Sequence, residues 1–226
     1  MILAAAVGAQ AAPDAFDKYA SNIQILQDKV IQKELKVSEA QRAKLNKHAN
    51  WFNAETKKLN DAVTKTKKPP TEADQKKLAT LMNQMKDRVI AELSAVQLKR
   101  LREISLQMLG DRGLLDPTVG KKVGLSDAQI TKLQNSYQAT AKKMVDLETK
   151  TYKPISDKYA AKKPKTDAEK KKLAQDWDKE MAAAQKKIAP TLKQYAGEFT
   201  KTMNATLSAA QKNKWTALLG KIFKPA

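Results

Sequence analysis

Four serines, each followed three residues later by a glutamine, are the side chains whose type and spacing repeat most clearly in this sequence. The pairs are Ser38 with Gln41, Ser94 with Gln97, Ser126 with Gln129, and Ser208 with Gln211. Such a serine hydroxyl accepts a hydrogen bond from the backbone N–H three residues on, and the glutamine side chain accepts one from the serine N–H. The motif therefore predicts four capped helix starts, which is a structural role and not a catalytic one.

Lysine provides most of the remaining chemistry. Lys and Arg number 43 against 24 Asp and Glu, giving a formal net charge of +19, and only five of the basic residues are arginine. Lysine acts as a solvated point charge and does not form the bidentate fork that reads guanine or clamps phosphate. The charge predicts diffuse attraction to acidic protein surfaces, polyanions or anionic lipid head groups, and it argues against sequence-specific recognition of nucleic acid.

Eight lysines near two similar turns form a candidate basic binding patch. They are Lys67, Lys68, Lys76, Lys77, Lys162, Lys163, Lys171 and Lys172. Acidic residues alternate with lysines nearby, a pattern that is also typical of a solvated helix face with surface ion pairs. Both interpretations, a partner-binding patch and a solvated surface, stay open at this point.

The sequence contains few of the residues on which enzyme catalysis depends. The sequence has no cysteine and a single histidine, His48, for which packing on the helix surface is favoured over a role as ligand or pH switch. No nucleophile and base stand at a suitable spacing, and no glycine-rich phosphate loop is present. We expect no enzymatic activity, no cofactor and no catalytic or metal-binding residue.

The first residues predict export. Residues 1–11 combine an apolar run with a small-x-small pattern, Ala9-Gln10-Ala11, that is typical of a signal-peptide cleavage site. A basic region before this run is missing, so we interpret Met1 as a misplaced start and residues 1–11 as a signal-peptide remnant. The expected location is periplasmic or secreted.

The chain repeats itself internally. Residues 67–79, KKPPTEADQKKLA, match residues 162–174, KKPKTDAEKKKLA, and each stretch lies between two of the Ser-x-x-Gln motifs. The order motif, turn, motif therefore occurs twice, which favours a tandem duplication. We expect a first helical unit at 12–112 and a second, with longer arms, at 113–226.

Apolar residues recur at helical spacing throughout both predicted units. After the first turn, Leu78, Leu81, Met82, Met85 and Val89 are spaced to line one helix face. The predicted fold class is all-α, an elongated and curved assembly of long antiparallel helices in two similar tandem halves.

The three tryptophans also stand at helical spacing. Trp51, Trp177 and Trp215 are expected in the core, with contact to a binding partner as the alternative.

The repeated motif resembles that of the LTxxQ-motif, or Spy/CpxP-like, proteins of the bacterial periplasm. Residues 93–104, LSAVQLKRLREI, and residues 124–130, GLSDAQI, are similar to the family pattern, with serine in place of threonine. The resemblance covers roughly residues 22–223, and this chain has four motifs where the family has two.

The resemblance implies a curved helical cradle that binds unfolded or partly folded proteins without ATP, or that senses envelope stress, usually as an antiparallel homodimer. Because one chain carries four motifs, we expect either a monomer that supplies what two family subunits supply together or a homodimer. The lysine patch then becomes a candidate client-binding surface.

Two other function classes remain open on sequence grounds. A polyanion-binding protein, for nucleic acid or acidic polysaccharide, is favoured by the net charge but disfavoured by the few arginines and by the predicted export. A structural envelope protein or membrane-surface protein is the third class. Binding to DNA that is lost steeply with salt would favour the polyanion class.

Overall fold

The computed structural model describes residues 14–67 and 69–224. Over these residues the prediction of an all-helical fold is confirmed, since they form nine α-helices and two short 3₁₀ segments and no strand. The predicted signal-peptide remnant at residues 1–11, and Lys68 of the candidate patch, lie outside the described residues.

The helices follow one another in this order: α1 (Ala15–Ala20), α2 (Lys29–Glu34), α3 (Glu39–Thr66), α4 (Glu72–Ala91), α5 (Ala95–Leu109), α6 (Pro117–Val123), α7 (Asp127–Ala160), α8 (Asp167–Thr206) and α9 (Ala209–Leu219). The 3₁₀ segments are Ile23–Gln27 and Gly110–Leu115. Helices α3 and α4 pack against each other, and so do α7 and α8, each pair joined by one of the two lysine-proline turns.

Packing divides the chain into two compact units. The first unit ends at Gly110 but also takes in the chain from Thr216 onwards, and the second unit is Asp111–Trp215. The sequence predicts a boundary at residues 112 and 113, close to this division, and places all later residues in the second unit. The segment from Thr216 packs instead with the first unit, for a reason that lies in α5.

Polar side chains of α5 hold this C-terminal segment. Arg102 donates to the carbonyl oxygen of Leu218, and Gln107 donates to those of Leu219 and Lys221 at 2.6 and 2.8 Å. The carbonyls of Leu218 and Leu219 belong to the last turn of α9 and that of Lys221 lies just beyond it, where a helix leaves its acceptors without partners. Phe223 then packs against the core of the first unit. We call residues 218–223 the C-terminal clasp.

The core of the first unit lies where α2, the ends of α3 and α4, and α5 meet. Its buried apolar side chains are Leu26, Ile31, Leu35, Val37, Leu45, Val89, Ile90, Leu93, Leu98, Leu101 and Ile104. Burial decreases along α4 with distance from this core: Val89 is 3% exposed, whereas Met82 and Leu78 are 49% and 40% exposed. The predicted apolar face of α4 is therefore buried at one end only, because α3 alone packs against the other end.

The second unit follows the same pattern. Its most buried side chains include Leu114, Val123 and Leu133, each 0% exposed, near the starts of α6 and α7. Further along the α7–α8 pair the apolar residues are mostly half-buried, and Trp177 is 37% exposed.

Residues 29–109 and 117–219 each run through a short, a long, a second long and a shorter helix, and their equivalence as two similar halves remains a prediction. A short helix, α2 or α6, ends in a Schellman-type turn, with Val37 N–H donating to Gln32 and Leu125 N–H donating to Gly120, both at 2.9 Å. A long helix, a turn, a second long helix and a shorter helix then follow. Descent from a tandem duplication remains a prediction.

These turns need a left-handed residue two positions before the serine of the next motif. Lys36 fills this position with φ of 51° and Gly124 with φ of 90°. A left-handed backbone costs a non-glycine residue roughly 1–2 kcal/mol, so the first unit carries a strain that the second unit avoids.

No helix among the described residues is both long enough and apolar enough to cross a lipid bilayer.

We expect Lys36→Gly to be more stable than Lys36→Ala by about 1 kcal/mol in urea unfolding followed by circular dichroism. Both variants remove the same charge, so the difference isolates the left-handed backbone. Gly124→Ala should lose a similar amount, since a Cβ there meets only Lys214 Nζ at 3.5 Å, an ordinary contact. Equal stability of the two Lys36 variants would contradict the strain.

Candidate functional site

All four Ser-x-x-Gln motifs form the predicted helix caps. Ser38 Oγ accepts from Gln41 N–H at 3.2 Å, and Gln41 Oε1 accepts from Ser38 N–H at 3.0 Å. The same reciprocal pair occurs at Ser94, Ser126 and Ser208, with distances of 2.9 to 3.3 Å. The capping role of these motifs is therefore present in the structure.

The glutamines do something further that the motif alone does not indicate. Gln41 Nε2 donates to Gln97 Oε1 at 2.8 Å, and Gln97 Nε2 donates back to Gln41 Oε1 at 3.1 Å. In the second unit, Gln129 and Gln211 form the same reciprocal pair at 3.0 Å in both directions. The four motifs thus meet two by two, one pair in each unit.

Each glutamine also reaches the backbone beside its partner. In every case its Nε2 donates to the carbonyl two residues before the partner motif's serine. The acceptors are Glu92 for Gln41, Lys36 for Gln97, Thr206 for Gln129 and Gly124 for Gln211, at 2.7, 3.3, 2.9 and 2.7 Å. Gln97 Nε2 also lies 3.1 Å from the Leu35 carbonyl oxygen, so its two hydrogens are shared among three acceptors. Each side-chain oxygen accepts two hydrogen bonds and each of the other three nitrogens donates two, so the carboxamides are fully satisfied.

This paired-cap cluster is architecture and not a reactive centre. A carboxamide neither gains nor loses a proton in the physiological range, and here both of its atoms already have partners. The cluster holds the start of α3 to that of α5 in the first unit, and the start of α7 to that of α9 in the second.

Two more capping boxes begin α4 and α8 at the turns; their spacing of threonine and acid is visible in the sequence, but they are not among the predicted caps. Thr71 with Asp74 and Thr166 with Glu169 make reciprocal bonds. Hydrogen bonds from the Thr71 side chain and backbone lower the pKa of Asp74, and those from the backbones of Thr166 and Lys165 lower the pKa of Glu169. The Glu169 carboxylate is exposed and that of Asp74 is half-buried, and both belong to the turns.

The candidate basic patch falls into two sets. Lys67, Lys76 and Lys77 lie at the α3–α4 turn of the first unit, where Lys67 ends α3 in a left-handed conformation and Lys76 pairs with Glu72 at 2.9 Å. Lys162, Lys163, Lys171 and Lys172 lie at the α7–α8 turn of the second unit and are exposed.

Three lysines of the second set, Lys162, Lys163 and Lys172, line a shallow cavity of about 450 Å³. Lys165, Glu169 and Asp176 line it as well. Lys162 lies 4.6 Å from the centre of the Tyr159 ring. Within the part of the chain that the structure describes, Lys163, Lys171 and Lys172 take part in no ion pair. Their charge is therefore directed to solvent.

A groove lies in the first unit, between the 3₁₀ segment Ile23–Gln27, α3 and α4. This groove has a volume of about 590 Å³. Apolar side chains form its floor: Ile23, Leu26, Leu45, Ala49, Phe52, Met82, Met85 and Val89. Lys86 lines one side and donates to the carbonyl oxygen of Tyr19 at 2.8 Å, and partial burial lowers the pKa of Lys86. The sequence predicts the apolar face of α4 but not that it opens into a groove.

The tryptophans have three different environments. Trp215 is buried, as expected, and Trp51 is half-buried beneath the guanidinium of Arg88, 4.0 Å from its ring centre. The expectation that Trp177 is in the core is wrong. Trp177 lies on α8, which packs side by side with α7. One neighbouring helix covers only one side of so large a ring, and 37% of the residue stays exposed to solvent.

His48 has a packing role at the junction of α3 with the end of α4. Its Nε2 lies 3.2 Å from Glu92 Oε1, and Lys44 donates to Glu92 Oε2 at 2.9 Å. These two contacts, that of Lys44 first, lower the pKa of Glu92. The Glu92 carboxylate therefore holds the end of α4 against α3. The backbone carbonyl of the same residue accepts from Gln41.

Among the described residues, no group of three or more His, Asp or Glu side chains is placed to hold a metal ion. Comparisons with protein-family models, with curated proteins and with solved structures give no match to this chain.

We expect Gln41→Ala to lower the free energy of unfolding by about 2–4 kcal/mol. It removes the side-chain half of the capping box, the bond from Ser38 N–H to Gln41 Oε1. It also takes one partner from each side-chain polar atom of Gln97 and the side-chain donor from the Glu92 carbonyl, in a partly buried site. Asp74→Ala, which removes the same half of a capping box without such a pair, is the control and should cost about 1 kcal/mol or less. Similar losses for both variants in urea unfolding would show that the pair contributes nothing beyond the cap.

The Glu92 contacts predict a specific dependence of stability on pH. A carboxylate whose pKa is lower in the folded state stabilises the fold above its unfolded pKa of about 4.3, and this contribution is lost as pH falls through the folded pKa. The stability difference between the native chain and Glu92→Gln should therefore shrink between about pH 5.5 and 3. Glu39→Gln, a change of the same charge at an exposed residue, is the control. A difference independent of pH would exclude the linkage.

Proposed function

We propose that this protein binds unfolded or partly folded proteins without ATP and so limits their aggregation. The observation that carries the proposal is the apolar groove of the first unit, whose floor includes two methionines and a phenylalanine. Exposed apolar patches on a soluble chain mark sites of interaction.

The chemistry of this surface suits variable partners. Met82 is exposed and Met85 half-buried, and methionine adapts its shape because it is unbranched and polarizable. In the second unit, Trp177 and Val145 add exposed apolar area to the α7–α8 pair. Such side chains hold different apolar segments without requiring one fixed shape.

Charge supplies the long-range part of the proposed mechanism. The net charge of +19 attracts acidic chains before contact, and lysines without an acidic partner contribute most to the local potential. Because exposed charges are screened over about 8 Å at physiological ionic strength, salt should slow capture but leave apolar contacts intact.

The resemblance to LTxxQ-motif proteins supports the same proposal. It also supports a periplasmic or secreted location, and we propose that the chain is a binding protein and not an enzyme. A measurement of the molar mass in solution distinguishes a monomer from a homodimer.

Polyanion binding is the second candidate, favoured by the lysine-lined cavity at the α7–α8 turn. Two acidic residues, Glu169 and Asp176, line that cavity as well, and no arginine does. This lining fits weak attraction to an anionic surface better than a tight phosphate site.

We expect stoichiometric amounts of the protein to suppress light scattering when a chemically denatured acidic protein is diluted into nucleotide-free buffer. Suppression should weaken only in part at high salt, because the apolar contacts persist. Absence of suppression, together with salt-sensitive binding to DNA or heparin, would reject this function and favour polyanion binding.

The charge contribution can be separated within the same assay. Lys163→Gln/Lys171→Gln/Lys172→Gln removes three lysines without ion pairs, whereas Lys142→Gln/Lys153→Gln/Lys170→Gln removes three that pair with acidic neighbours. Both triple variants lower the net charge by the same amount within the second unit. The first should slow client capture more, and equal slowing would mean that net charge alone matters.

A further inference from the structure

The groove of the first unit carries an unusual set of polar side chains around its apolar floor. Six carboxamides line it: Asn22, Gln24, Gln27, Gln32, Asn46 and Asn83. The only charged residue in the lining is Lys86. In a chain with 30% charged residues, this groove is nearly neutral.

Four of these carboxamides are available for a ligand. Asn22 caps the 3₁₀ segment, and Gln32 donates to the Leu26 carbonyl at 2.7 Å. Gln24, Gln27, Asn46 and Asn83 are exposed, and within residues 14–67 and 69–224 their side chains make no hydrogen bond. Each therefore offers one acceptor and two donors around the apolar floor.

This combination matches the chemistry of an extended peptide. A peptide backbone presents N–H donors and C=O acceptors along its edges, and its successive side chains point to opposite faces. Apolar side chains on one face fit the floor of the groove, while the carboxamides of the rim exchange hydrogen bonds with the backbone. Main-chain recognition of this kind tolerates many sequences.

Other ligand classes fit less well. An acyl chain would satisfy the floor but would remove water from the carboxamides without giving them partners, which costs free energy. A strongly acidic ligand would meet a single ammonium group, that of Lys86, which already donates to the Tyr19 carbonyl. The volume of about 590 Å³ suits a short segment and not a folded domain.

We propose that this groove binds short, extended, uncharged segments of non-native chains and recognises their backbone through Gln24, Gln27, Asn46 and Asn83. The inference rests on the proposed function, since it names the part of the client that this site takes. The lysines attract the client as a whole, and the groove selects the segment.

The test uses the full chain and a fluorescein-labelled heptapeptide, acetylated and amidated, in which leucine and valine alternate with serine. We expect fluorescence anisotropy to show saturable binding that is insensitive to salt. A second peptide with the same side chains but with N-methyl groups on alternate backbone nitrogens should bind at least about tenfold more weakly, because each lost hydrogen bond is worth about 1 kcal/mol.

A matched pair of variants locates the site. Asn46→Leu/Asn83→Leu removes two rim carboxamides, one on α3 and one on α4, and should weaken binding of the first peptide about tenfold. Asn53→Leu/Gln84→Leu removes two exposed carboxamides from the same helices outside the groove and should leave binding unchanged. Urea unfolding of both variants checks that each remains folded.

Three outcomes would overturn the inference: equal affinity of the two variants, equal affinity of the N-methylated peptide, or displacement of the peptide by stoichiometric palmitate, which would assign the groove to an amphiphile. If the native chain suppresses aggregation but the peptide does not bind, the groove inference fails and the proposed function stands. If the peptide binds but no aggregating protein is protected, the proposed function fails and the peptide site stands.

Discussion

The mutual satisfaction of two glutamine side chains is the constraint on which each unit depends. A carboxamide that leaves water must place two donors and two acceptors, and each of these glutamines does so only when its partner lies at the start of the other capped helix. The bond to the carbonyl beside the partner motif fixes the approach of the two helices as well as their distance. Helix starts that are far apart in sequence are thereby brought together. The paired caps also set the directions in which α3 and α7 extend away from their cores.

This anchoring at one end explains why apolar surface stays open at the other. Near the paired caps, several elements converge and bury leucine, isoleucine and valine almost completely. Beyond that point each long helix has a single partner, and two helices packed side by side cover only one flank of each other. Met82 and Trp177 are exposed for this geometric reason. The surface proposed to bind clients is thus a direct result of the architecture.

The sequence predicts this fold to the extent that its signals are local. Helix starts, their caps and the helical class follow from Ser-x-x-Gln spacing and periodicity, which neighbouring residues determine. The pairing of Gln41 with Gln97 joins residues far apart in the chain, yet one signal for it was present: a capping box accepts Glu or Gln equally, and all four motifs carry Gln. Only a carboxamide donates as well as accepts. The groove, the exposure of Trp177 and the packing of the segment after Thr216 depend on which elements meet, and periodicity does not contain that information.

The C-terminal clasp means that the first unit is not built from one continuous stretch of the chain. Arg102 is 5% exposed, and its partners are Asp17 near the start of the first unit and the Leu218 carbonyl close to the end of the chain. The first unit therefore gains its full set of contacts only when a segment that follows the whole second unit in sequence has docked on α5. Until then the Arg102 guanidinium lacks one of its acceptors, and the first unit is easier to unfold than when the clasp is in place.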